Sequence, residues 1–471
     1  MTNDSYFNSE EFREALVRYE EAEREGLAAY FDSDTLADIA EYYYAEGKAN
    51  DAVNAALKGV DMFPGAVSPL VFMGRYELLK QNNPPKAEWY ASQIEDQSEP
   101  ECVYLHAEIM LVENKTDEAE TFLRHELEHI EEDEMDDFVL DVADLYLDYD
   151  LIDAAQEWLL MAENKEAADY QEVKGRIALG KGEYQQGEEI FKRLVEDNPY
   201  SSPYWNQLAS SQFLSNRFKD SIESSEFSIA INPDDEEALL NKANGMFSLG
   251  QYEEALTYYT RFNKLHHDDE TGDLFIGMTL INLDRPEEAL QHLRKAEEMA
   301  VPQSVNLAEI YQETAFALSR LGRVDEALAY VDKTIAAASI NKDELTVFKG
   351  HILLENGNPL AAQNYFLEAV RNSKSAPNVF FRIAISVYDN GYMRLAYKML
   401  LSLFQSAPAD WKDGYSHMAL CCKWLNREAE YLHYLRKACQ INPIEAKNIL
   451  GEYFPNDIEP ESYYNYITKQ K

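Results

Sequence analysis

The sequence predicts an all-α protein, a solenoid of about twelve helix–turn–helix repeats closed at each end by cap helices. Three observations carry this. The segments GQYEEAL (250–256), DRPEEAL (284–290) and GRVDEAL (322–328) recur at near-fixed intervals. A small residue returns at one place in every interval. No Gly/Ser-rich or Pro-rich linker interrupts the 471 residues.

Aligning the recurrent segments sets repeat starts near Ser33, Val67, Pro100, Asp136, Ala168, Ser202, Glu236, Glu270, Ala308, Asp343, Pro377 and Lys412, spaced 32 to 38 residues apart. The eighth residue was not used to find the frame, so it tests it. It reads Ala40, Gly74, Ala107, Ala143, Gly175, Ala209, Ala243, Gly277, Ala315, Gly350, Ala384 and Ala419. Two helices paired tightly need a side chain this small where their backbones come closest. The twentieth residue behaves alike, with Ala52, Ala87 (after one inserted residue), Ala119, Ala155, Gly187, Ser221, Ala255, Ala289, Ala327, Ala362 and Ala396. The last repeat departs, with Tyr431 there unless Ala429 slides into place. Between the helices stand Gly47, Asn114, Gly182, Asn216, Gly250, Gly322, Gly357 and Gly391, residue types that tolerate the left-handed backbone closing a helix. Pro64, Pro199, Pro233, Pro408 and Pro443 stop second helices.

Small, small, aromatic or leucine, then proline, in a frame of about 34 residues, resembles the tetratricopeptide repeat family. Residues 202–235 carry the likeness best, through Trp205, Leu208, Ala209, Phe218, Ile231 and Pro233. The resemblance covers 33–445, leaving 1–32 as an N-terminal cap with a helix over 9–30, and 446–471 as C-terminal cap helices. It implies a right-handed superhelix whose groove is lined by the first helix of each repeat, chiefly through its second, fifth, sixth, ninth and twelfth residues. It also implies a protein-interaction scaffold or adaptor without enzymatic activity or cofactor. On that frame the groove candidates form a gradient. Glu41, Glu108, Asp137, Asp141 and Asp144 come first, then the amides Asn206, Gln207, Asn241 and Asn244, then Phe275, Phe316, Phe348 and Phe381. Acids suit a basic ligand, amides a peptide backbone, and aromatics apolar side chains. The Lys/Asn set with which some repeats of this family grip a chaperone's C-terminal carboxylate is not assembled in any three successive repeats.

The formal charge of −44, from 86 acidic and 42 basic residues, argues against nucleic acid and anionic membranes as partners. It favours a protein or peptide partner of basic character, and residues 126–153 hold 13 acids with no Lys or Arg. No run of 18 apolar residues exists, the opening MTNDSYFNSE does not read as a secretory signal, and four cysteines are too few for a disulfide framework. Together these predict a cytoplasmic location.

Two other readings stand beside the scaffold. His125-Glu126-Leu127-Glu128-His129 is an HExxH motif. Histidines four apart on a helix share a face and can hold zinc while the glutamate activates water, which would make a metalloprotease with His125 and His129 as ligands. His417, Cys421, Cys422, His433 and Cys439 share the last repeat, where thiols also serve as small core residues. The other reading is a self-associating structural subunit.

Overall fold

The computed structural model describes residues 7, 9–25, 29–266, 269–301, 304–337, 342–373, 376–455 and 458–469. The chain gathers into two compact bodies, Met1–Asp268 and Asp269–Lys471. The first opens with α1 (Glu10–Glu25); residues 26–28 of the expected leading helix lie outside the described residues. Helix pairs follow: α2 (Ser33–Ala45) with α3 (Ala49–Met62), α4 (Val67–Arg75) with α5 (Pro84–Ala91), and α6 (Pro100–Val112) with α7 (Thr116–Leu127). Next come α8 (Met135–Asp148) with α9 (Ile152–Leu159), α10 (Ala168–Gly180) with α11 (Tyr184–Asp197), α12 (Ser202–Leu214) with α13 (Phe218–Ile231), and α14 (Glu236–Ser248) with α15 (Tyr252–Leu265).

The second body pairs α16 (Glu270–Asn282) with α17 (Pro286–Met299), α18 (Leu307–Arg320) with α19 (Val324–Ala337), and α20 (Lys342–Glu355) with α21 (Pro359–Asn372). It continues with α22 (Ala376–Asp389) and α23 (Met393–Ser406), then α24 (Tyr415–Trp424) and α25 (Glu428–Ile441). Then come α26 (Pro443–Leu450), a 3₁₀ turn at Gly451–Tyr453, and α27 (Pro460–Lys469), which packs on α25 and α26. Even-numbered helices are thus the first helices of the repeats, and odd-numbered ones the second. The fold is an all-α solenoid of helix–turn–helix repeats.

The pairs close on small residues. Ala40, Ala107, Ala143, Ala209, Ala243, Ala315, Ala384 and Ala419 are fully buried, as are Ala52, Ala119, Ala155, Ala255 and their counterparts in the second helices. Where glycine takes the eighth place the approach is closer still. A Cβ on Gly74 would lie 2.6 Å from Leu105 Cδ2, one on Gly175 2.6 Å from Phe191 Cζ, and one on Gly277 2.7 Å from Leu293 Cγ. The last repeat is the exception. Tyr431 itself occupies the buried place and Ala429 stays exposed.

Every turn within a pair carries one left-handed residue. Beyond the eight expected, Asn82, Asp150, Asp284 and Asn426 also have positive φ, between 47° and 57°. Asn and Asp are the non-glycine types that visit this region most readily. The first turn shows the bonding: Gly47 N–H donates to Tyr44 O at 3.0 Å and Lys48 N–H to Tyr43 O at 2.8 Å, the two bonds of a Schellman cap. The residue inserted before Ala87 is absorbed by a π-helical turn at Tyr76–Lys80, where Gln81 N–H reaches back to Tyr76 O at 3.2 Å.

Within each body the even helices of successive repeats touch one another as well as their own partners, whereas the odd helices of successive repeats hardly meet. A stack that touches along one row and splays along the other bends toward the touching row. The even helices therefore line the concave side of each body.

Gly175→Ala tests the role of the small residues. Alanine gains about 1 kcal/mol of helix propensity over glycine. The new methyl meets the fully buried Phe191 ring, and such overpacking costs about 1–3 kcal/mol. The expected outcome is a lower urea midpoint for Gly175→Ala, and recovery when Phe191→Leu is added. An unchanged or higher midpoint for the single variant would contradict the close approach.

Candidate interaction faces

The concave side of the first body is acidic, and its carboxylates are organised around two arginines. On α4, Arg75 Nη2 lies 3.0 Å from Glu108 Oε1 of α6, with Nε 3.1 Å from Glu108 Oε2. Burial works against this cation, but Glu108, then Glu101 and Glu41, hold its pKa above the ordinary value. On α10, Arg176 bridges Asp144 and Asp148 of α8, at 2.8 Å to each. Tyr104 of α6 donates its hydroxyl to Asp141 at 2.9 Å. Asp137 is exposed beside it.

One guanidinium does not neutralise this group. Burial pushes the Asp144 carboxyl up to about 6 despite Arg176, and Asp148 and Asp141 add to the rise. Burial raises Asp141, with Asp137 and Asp169 contributing against the Tyr104 bond, and burial with Asp144 raises Glu172. Asp141 is in contact with water yet feels protein around it, as a group on a concave wall would. An excess of carboxylates held partly out of water favours a cation that brings compensating charge.

The amide candidates sit otherwise. Asn206 is almost fully buried, with Nδ2 donating to both carboxylate oxygens of Asp235 at 3.0 Å. Asn241 Nδ2 donates to Ser210 Oγ at 3.1 Å, and Asn244 Oδ1 accepts from Tyr259 O–H at 2.6 Å. These amides tie α12, α14 and α15 together instead of waiting for a ligand. Gln207 is half-buried and has no internal hydrogen bond among the described residues.

In the second body, Phe316 of α18 and Phe348 of α20 pack with ring centroids 4.3 Å apart. They line an open hollow of about 780 Å³ with His351, Arg382, Ile385 and Tyr388. His351 Nδ1 lies 3.0 Å from Ser386 Oγ, and burial lowers its pKa against the pull of Glu355 and Asp389. Phe275 is half-buried on α16. Phe381 lies outside the hollow, packed edge-on against Trp411 at 5.8 Å.

At the HExxH segment α7 ends at Leu127, two residues short of His129. Glu128 and His129 close the helix with bonds to the carbonyls three residues back. His129 Nδ1 lies 2.9 Å from His125 O, and the two exposed rings are nearly perpendicular at 80°. The last turn is tighter than an α-helix, yet the ring centroids lie only 4.9 Å apart. Among the described residues no group of three His, Cys, Asp or Glu side chains could hold a metal. Burial pushes the Cys421 and Cys422 thiols up to about 12, the opposite of what a thiolate ligand needs.

These features define a helical-repeat protein. The frame of small residues in its repeats resembles that of the tetratricopeptide repeat. No family model matches the chain, and no curated protein matches it. Among solved structures it is similar to a tetratricopeptide repeat protein from Parabacteroides merdae, at 16% identity over 52% of this chain and 94% of that one, TM-score 0.43. It is also similar to a thermophilic TPR protein of Thermus thermophilus, at 21% identity over 40% and 100%, TM-score 0.34. A third is the APC/C hetero-tetramer Cut9-Hcn1, at 14% identity over 96% and 95%, TM-score 0.38. The repeat assignment itself rests on the helix pairs and buried small residues of this chain. No helix among the described residues is long and apolar enough to cross a membrane.

The raised Asp144 pKa sets a pH dependence. The unfolded carboxyl titrates near ~3.9, so folding takes up a proton between roughly pH 4 and the folded value of about 6. The contribution of this group is fully favourable below the unfolded pKa and is lost as pH rises through about 6. Melting temperature should therefore fall less between pH 4.5 and 7.5 in Asp144→Asn than in the unmodified chain. Equal falls would contradict the assignment.

Proposed function

We propose that this protein is a non-enzymatic, cytoplasmic interaction scaffold, with residues 33–445 as its binding array. We further propose that the concave side of the first body receives a basic segment of a protein partner. The carrying observation is the cluster of Asp144, Asp148 and Glu172 around Arg176, continued by Asp141 beside Asp144 and Asp137 beside Asp141, with Asp144 pushed up to about 6. Arriving Lys or Arg side chains would let these carboxylates ionise fully. Tyr104 adds an aromatic face, which attracts the same cations. Affinity at such a face is a sum of modest contacts, with exposed charge pairs worth about 0.2–1 kcal/mol each.

Fluorescence anisotropy with a labelled lysine-rich dodecapeptide and a glutamate-rich counterpart tests the proposal. The lysine-rich peptide should bind and weaken as salt rises. Charge reversal at Asp137, Asp141 and Asp144 to lysine should weaken it at least tenfold, a loss of about 1.4 kcal/mol. Equal binding of both peptides, or indifference to the triple reversal, would refute the acidic face as the site.

A further inference from the structure

The concave side of the second body has a different chemical order. The sixth residues of successive first helices are Phe275, Glu313, Phe348 and Arg382, and the ninth are Met278, Phe316, His351 and Ile385. Glu313 on α18 and Arg382 on α22 have no hydrogen bond or ion pair among the described residues. This is unusual in a chain whose other groove arginines, Arg75, Arg176 and Arg320, are each paired with carboxylates. Between the two free charges lies the Phe316–Phe348 pair, on the wall of the hollow that Arg382 also lines. Glu313 is half-buried, and burial with Glu309 beside it pushes its carboxyl up to about 7.

Two unpartnered charges of opposite sign, set on either side of an apolar floor, select against a ligand of one charge. A wholly basic segment would meet Arg382, and a wholly acidic one Glu313 together with Glu344 and Asp389, which line the same hollow as Arg382. We infer that this face takes an extended peptide segment of another protein bearing a cationic side chain at Glu313, a large apolar side chain over Phe316 and Phe348, and a carboxylate at Arg382. Neighbouring helices stand about 8–10 Å apart, so two repeats span roughly 20 Å. An extended chain covers that in roughly six residues at about 3.3 Å each. The cation and the carboxylate should therefore lie six residues apart with the apolar residue midway. The inference rests on the reading that inner faces bind protein segments, but it concerns residues that the first body does not contain.

Two labelled nonapeptides in a Gly/Ser background make the probe, one with lysine second, leucine fifth and aspartate eighth, the other with lysine and aspartate exchanged. The charges do not fix the chain direction of the ligand, so both orders are measured by anisotropy. One order should bind at least tenfold more tightly than its leucine-to-serine version. Arg382→Glu should lower that affinity at least tenfold, and replacing the peptide's aspartate with lysine should restore it. Glu313→Lys should do the same, with rescue by a glutamate in place of the peptide's lysine. Arg382 is exposed and has no internal partner among the described residues, so its variants should keep the parent's melting temperature. Should either misfold, Arg382→Gln and Glu313→Gln carry the same expectation with smaller losses. Failure of both orders to bind, or binding indifferent to both positions, overturns the inference. The lysine-rich dodecapeptide run in parallel reports on the first body alone. Its binding while both nonapeptides fail would defeat only this inference.

Discussion

The structure depends on one steric constraint, the close approach of paired helices at residues with almost no side chain. Alanine or glycine at the eighth place lets two helices meet backbone to backbone, and the small residue of the second helix completes the contact. Once the pair is tight, the larger apolar residues on its flanks can only be buried by the next pair. Stacking follows, and with it a stability built from neighbour contacts. The first helices touch along their row and the second helices do not, which bends each body toward the first helices. Side chains at fixed places on those helices are thereby collected onto one wall.

What a wall can hold is decided by which of its polar groups are already satisfied. In the first body the carboxylates outnumber the arginines that organise them, and crowding by protein raises the pKa of Asp141, Asp144 and Glu172. Farther along, Asn206, Asn241 and Asn244 are spent on bonds that hold repeats together. In the second body an aromatic floor lies between two charges with no internal partner. Thus one backbone plan yields two faces of different side-chain chemistry.

Much of this was legible in the sequence because the packing requirement is local and periodic. A position that must be Gly or Ala returns about every 34 residues, and a left-handed turn residue marks the joint. Asn82, Asp150, Asp284 and Asn426 escaped notice only because glycine is the stronger signal for that backbone. The groove frame also put Glu108, Asp141, Asp144, Phe316 and Phe348 on the inner faces. It could not say which groups would be consumed, because Asp235, Ser210 and Tyr259 reach the amides from neighbouring elements. Tyr104, Arg75, Arg176, Glu313 and Arg382 occupy the same fifth, sixth and ninth places and were open to the same frame. Their pairing or lack of it depends on three-dimensional neighbours. The HExxH spacing presumes a helix through His129, whereas α7 stops at Leu127.

Hydrogen–deuterium exchange with and without the lysine-rich dodecapeptide tests the central claim most directly, since it reports which helices a ligand covers. If the even-numbered row is the binding wall, protection should concentrate on α6, α8 and α10 and spare their partners α7, α9 and α11. Protection on the odd-numbered helices, with α8 unchanged, would mean that the ligand binds the outer surface and that the inner wall is not the site.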